Sequence, residues 1–122
     1  MVKVLSPLVQ FQQQLRVFHW QTESYAQHKA FGKTYEALDD LIDGFIETFM
    51  GKYGKLEAEG GKYDIELHNL KDAKVDSVLN EFLDYLDTFN DELDEKKDSD
   101  LLNIRDEIKG EVNTLKYLLT LK

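Results

Sequence analysis

The chain contains no cysteine, a single proline and no long apolar run. Without cysteine there is no disulfide framework, zinc–thiolate cluster or iron–sulfur site, so any metal must be held by nitrogen and oxygen ligands. Without a run of about 20 apolar residues, no segment reads as a membrane span. The N-terminus also lacks a signal-peptide pattern, and a soluble, cytoplasmic protein is the expectation. Cationic residues are in deficit, with 15 Lys and Arg against 24 Asp and Glu and a net charge of −9. Phosphate binding draws on clustered cations, so this balance argues against a nucleic-acid partner. Only Lys3 precedes the first expected helix, and a basic DNA-binding tail is not expected either. Glycine is sparse and uneven: Gly51, Gly54, Gly60 and Gly61 supply four of the seven.

What the sequence does have is helical period, in 122 residues that suit one domain with one core. Ser6-Pro7 is a helix start signal. Leu8, Phe11, Leu15, Phe18 and Thr22 then predict a first helix to about residue 23. Ser24-Tyr25-Ala26-Gln27 fits a capping box, so a second helix can begin at once. Its stripe is Phe31, Tyr35, Leu38, Ile42, Phe45 and Phe49, interrupted by Gly51 and Gly54. Residues 51–73 keep no period and are long enough to run the length of a bundle. Val75, Val78, Phe82, Tyr85, Phe89 and Leu93 predict a third helix, with a restart at Asp98 or Ser99. Leu101, Ile104, Ile108, Val112, Leu115 and Leu119 predict a fourth. The expected fold is all-α: a ferritin-like four-helix bundle over 1–122, two antiparallel hairpins joined by one long crossover.

The residues that carry chemistry are His19, His28, Asp43 and Glu47, all nitrogen or oxygen ligands. Metal centres built inside such bundles use Glu-x-x-His pairs. Here the residues three before His19, His28 and His68 are Arg16, Tyr25 and Ile65, so an intra-bundle centre is disfavoured. His68 reads as a solvated loop residue, and the run Asp91 to Glu95 as a solvated helix end. His28 and Asp43 lie fifteen positions apart on one helix (43 − 28), about 60° of net rotation and roughly 22 Å of rise. They share a face but cannot share an ion in one chain. Two hairpins meeting head-to-tail about a twofold axis would set each histidine pair against the other chain's carboxylates, giving mixed sites suited to Fe(II).

At this point the chain resembles a known family. The His19-Trp20 dipeptide and the spacing of His28, Asp43 and Glu47 are similar to the ferroxidase signature of Dps-type miniferritins. The resemblance implies that His19 and His28 of one subunit and Asp43 and Glu47 of its twofold partner bind iron. Fe(II) would be oxidised to Fe(III) by peroxide or oxygen, with Trp20 assisting electron transfer. It also implies a homo-oligomer, with a dodecameric shell for iron storage and detoxification under oxidative stress. The chain departs from the family pattern in its shorter His19–His28 spacing, and in Gly32 where an acidic residue usually stands. Short acidic chains of this kind are also similar to ferritin-like proteins of large bacteriophages. The alternative reading is therefore a non-catalytic structural or interaction protein, a phage assembly component located in the virion.

Overall fold

The computed structural model describes residues 5–122, in which the regular elements are helices and no strand occurs. Four long segments make the bundle: α1 (Leu5–Gln21), α2 (Tyr25–Tyr53), α3 (Val75–Asp87) with a short continuation α4 (Phe89–Glu92), and α5 (Ser99–Leu118). Single 3₁₀ turns at Glu59–Gly61 and Leu70–Asp72 punctuate the connection between α2 and α3. The first helix already includes Leu5, so Ser6 lies within it rather than before it. A shift of one or two residues is ordinary at helix ends.

Cross-links between elements fix their directions. Residues 22–24 turn α1 directly into an antiparallel α2. Lys52, ending α2, reaches Asp100 at the start of α5 at 3.0 Å, so α5 runs back along α2. Lys109–Asp87 and Lys116–Asn80 contacts make α5 antiparallel to α3. Phe11 and Phe82 stack at 3.8 Å and close the ring of neighbours between α1 and α3. The remaining segment travels the length of α1 in the same sense, from Glu66 beside Gln10 to Leu70 beside Gln21. Inside, Leu8, Leu15, Phe18, Phe31, Phe45, Leu86 and Phe89 are fully buried. Burial of each such side chain contributes about 1.5–3 kcal/mol.

A row of glutamines on α1 holds the crossover. The Gln10 side chain accepts from the Glu66 N–H (2.9 Å), and Gln21 accepts from the Leu70 N–H (2.8 Å). Between them the buried Gln14 amide accepts from the His68 N–H (2.7 Å) and donates to its carbonyl (2.9 Å). Positions 10, 14 and 21 share one helix face, while 66, 68 and 70 alternate along an extended chain. The amides thus do for this segment what a neighbouring strand would do.

The third stripe is interrupted rather than continuous. The Thr88 hydroxyl bonds the Tyr85 carbonyl and the helix breaks there, yet Phe89 and Leu93 remain buried beyond it. Arg105, 5% exposed, crosses from α5 to cap the break. Its guanidinium donates to the Leu86 carbonyl (2.8 Å), Asn90 (2.7 Å) and Asp106 (2.8 Å), placing a cation at the C-terminal end of α3.

Asp98 joins the end of α2 to the start of α5 and is only 3% exposed. The Tyr53 hydroxyl, the Asp94 N–H (2.9 Å) and Lys52 (3.4 Å) hold its carboxyl below the usual carboxylate range. A depressed folded-state pKa contributes stability above the unfolded value of about 3.9 and loses it as pH falls through the folded value. The urea midpoint should therefore drop below about pH 4, and Asp98→Asn should flatten that acid limb. An unchanged slope in the variant would remove Asp98 from the account.

Candidate metal centre

The hairpin tip is built by local hydrogen bonds. Ser24 caps α2 by accepting from the Gln27 N–H (3.2 Å). Gln27 does not reach back to the Ser24 N–H, as a full capping box would require. It accepts instead from the Thr22 hydroxyl (2.8 Å), whose oxygen takes the Ser24 N–H (3.1 Å). Thr22 thus completes the box by relay, and the turn brings His19 against His28.

The two imidazoles stack with centroids 3.8 Å apart and planes 16° from parallel. Each is tied to the backbone beneath the other. His19 Nδ1 lies 2.7 Å from the His28 carbonyl oxygen, and His28 Nδ1 lies 2.8 Å from the His19 carbonyl oxygen. A carbonyl can only accept, so both Nδ1 atoms carry the proton and each Nε2 of the neutral ring carries a lone pair. Anchoring one ring nitrogen to a carbonyl is how proteins orient histidines whose other nitrogen binds metal. Neither Nε2 has a hydrogen-bond partner among the described residues.

Gly32 makes this stack sterically feasible. A Cβ at position 32 would stand 2.8 Å from His19 Cε1 and 2.9 Å from its Nδ1. The residue at which the chain departs from the miniferritin pattern is therefore the seat of the His19 ring. Beside it Trp20 is 66% exposed, and the Arg16 guanidinium lies 5.3 Å from its ring and 4.7 Å from that of Tyr35. Arg16 also donates to the Tyr35 hydroxyl at 2.7 Å.

Asp43 and Glu47 lie several turns along α2, exposed and one turn apart. Their side chains share a hydrogen bond, and that bond together with the like charge of Asp43 raises Glu47 above the usual carboxylate range. No group of three or more potential metal ligands forms within one chain among the described residues. The structure thus joins His19 to His28 and Asp43 to Glu47, and leaves the two pairs apart. The sequence marked Gly32 as a departure from the family pattern and Thr22 as a stripe residue, but not their roles as the seat of the His19 ring and the relay of the cap, and it gave no role to Gln14. Only the glutamine-rich run Gln10 to Gln14 carried a visible hint of unusual use. No helix among the described residues is long and apolar enough to cross a membrane.

Comparison with known proteins gives a family without an assigned activity. Residues 19–119 match the model of a family of unknown function, DUF5856, a span that takes in both histidines and both carboxylates. The chain is also 30% identical over 106 residues to an uncharacterized 14.6 kDa protein in the mobD-ri intergenic region of Enterobacteria phage T4, covering 85% of this chain and 75% of that protein. No solved structure matches the chain. With a match over most of its length, the chain belongs to the DUF5856 family.

Proposed function

We propose that the protein oxidises Fe(II) at sites shared between two chains, in the manner of Dps-type miniferritins. The observation that carries this reading is the histidine pair, held by its Nδ1 protons with both Nε2 lone pairs left for a ligand. Lone pairs lie in the ring planes, so two rings stacked at 3.8 Å do not converge on one ion with bonds of about 2 Å. Each ring would serve its own ion. Two-metal sites hold their ions about 3.5–4 Å apart, close to the spacing of these rings. The partner's Asp43 and Glu47 would complete the pair of sites and supply the negative charge.

Iron is the substrate. Each of two Fe(II) ions gives up one electron, the O–O bond of one peroxide breaks, and two protons complete two waters. Fe(III) then leaves by hydrolysis, or is stored if a shell forms. The helix directions also support the reading, because paired hairpins with one long crossover are the ferritin-like plan. Trp20, next to His19 and exposed, is the candidate for electron transfer.

The reciprocal His19–His28 bonds favour a second reading as well. They would latch the hairpin without any metal, as befits a structural protein of a phage particle. Anaerobic Fe(II) titration followed by peroxide separates the two. The ferroxidase reading expects saturation near about two irons per chain, with oxidation faster than a protein-free control. Absence of binding would leave the latch.

A further inference from the structure

The outer edge of the crossover is unused. Residues 66, 68 and 70 turn backbone groups toward the α1 glutamines, so the alternation of an extended chain turns those of Ile65 and Leu67 away from α1. Neither residue's N–H or C=O has a partner among the described residues. The side chains that alternate with Glu66 and His68 are apolar and in the open: Tyr63, Ile65 and Leu67 are 44%, 39% and 42% exposed. An extended segment with a free backbone edge and a row of apolar side chains is a template for strand pairing.

We infer that this segment is an interaction surface whose partner is the same segment of a second copy, paired antiparallel about a twofold axis through Ile65. The register follows from the residues. Antiparallel bonded pairs require both members to present their backbone groups outward, which restricts the choice to odd-numbered positions on each chain. With Ile65 opposite Ile65 of the second copy, Tyr63 meets Leu67 and Leu67 meets Tyr63, so every outward residue has an apolar partner. On the other face Lys62 meets His68, and Asp64 meets Glu66. That like-charge contact opposes pairing, and it gives the interface a signature. Salt screens the repulsion, so association through the crossover should strengthen from low salt to about 0.5 M NaCl. An interface held by ion pairs would weaken over the same range. The inference stands apart from the metal reading, since none of these residues belongs to the histidine or carboxylate pairs.

The absence of cysteine makes the register directly testable in the full-length chain. Cα atoms of a bonded antiparallel pair lie about 5.5 Å apart, within the span of about 4.4–6.8 Å that a disulfide bridges. Position 65 would face itself, whereas position 62 would lie roughly 20 Å from its own copy. Under mild oxidation Ile65→Cys should form covalent dimers at least about tenfold faster than Lys62→Cys. Ile65→Pro, which removes the N–H on the axis, should weaken association in sedimentation runs at an unchanged thermal midpoint. Equal cross-linking rates at 62 and 65, or association untouched by Ile65→Pro, would overturn the inference. Both readouts report on the crossover alone, so they hold whether or not the protein handles iron.

Discussion

Replacing both Asp43 and Glu47 with alanine is expected to return Fe(II) oxidation to the rate of a protein-free control without unfolding the chain. Both residues are exposed on α2, and neither holds another element in place. Their mutual contact is unfavourable when both are ionised, as the raised pKa of Glu47 indicates. A raised carboxylate pKa in the folded state means a stability deficit that grows as pH rises past the unfolded value of about 4.3. Alanine removes the repulsion and is the better helix former. The thermal midpoint of the metal-free variant should therefore rise at neutral pH, while iron handling is lost. A structural role predicts the reverse: weaker self-association, and no change in oxidation relative to the parent chain. Stopped-flow oxidation beside calorimetry on the same samples decides between them. A variant that oxidises iron at the parent rate would remove the carboxylates from the site.

The helical layout was legible because it rests on periodic apolar residues. Burial largely follows the stripes of α1, α2 and α5, whereas α3 buries Leu79, Phe82 and Leu86 and leaves the expected Val75, Val78 and Tyr85 half-buried. Leu8, Phe11, Leu15 and Phe18, and then Phe31, Leu38, Ile42, Phe45 and Phe49, are the buried faces of α1 and α2. The break at Thr88 was not legible, because the apolar period runs through it and Phe89 stays in the core. What stops the helix is a hydroxyl bonded to a carbonyl and a guanidinium arriving from α5, and neither leaves a mark in local sequence. The crossover could be placed from its loss of period and its glycines. Its path along α1 depends on glutamine amides acting as backbone surrogates, and a surface helix carries glutamine for many ordinary reasons. At the site, spacing alone was enough to pair Asp43 with Glu47, which are neighbours on one helix. The stacking of His19 on His28 depends instead on a tertiary turn.

Gly32→Ala should change stability modestly and iron oxidation a great deal. The added methyl would stand 2.8 Å from His19 Cε1, so the ring must swing away. Moving it breaks the Nδ1–H bond to the His28 carbonyl and separates the stacked rings. A hydrogen bond of this kind contributes about 1 kcal/mol net, and an aromatic pair about 0.5–1.5 kcal/mol. Against that loss, alanine inside a helix is favoured over glycine by about 1 kcal/mol. The sum leaves a net loss of about 0.5–1.5 kcal/mol, a modest shift in the urea midpoint. Function should not be cushioned in the same way. Disturbing the bonds that orient a ligand typically costs about 10–100-fold in affinity or activity, and His19 would lose both its anchor and its tautomer. Imidazole nitrogen NMR of the metal-free protein should show His19 leaving the Nδ1-protonated form. Iron oxidation should fall by about 10–100-fold. If oxidation instead survives a displaced His19 ring, the stack is a hairpin latch and the iron is held elsewhere.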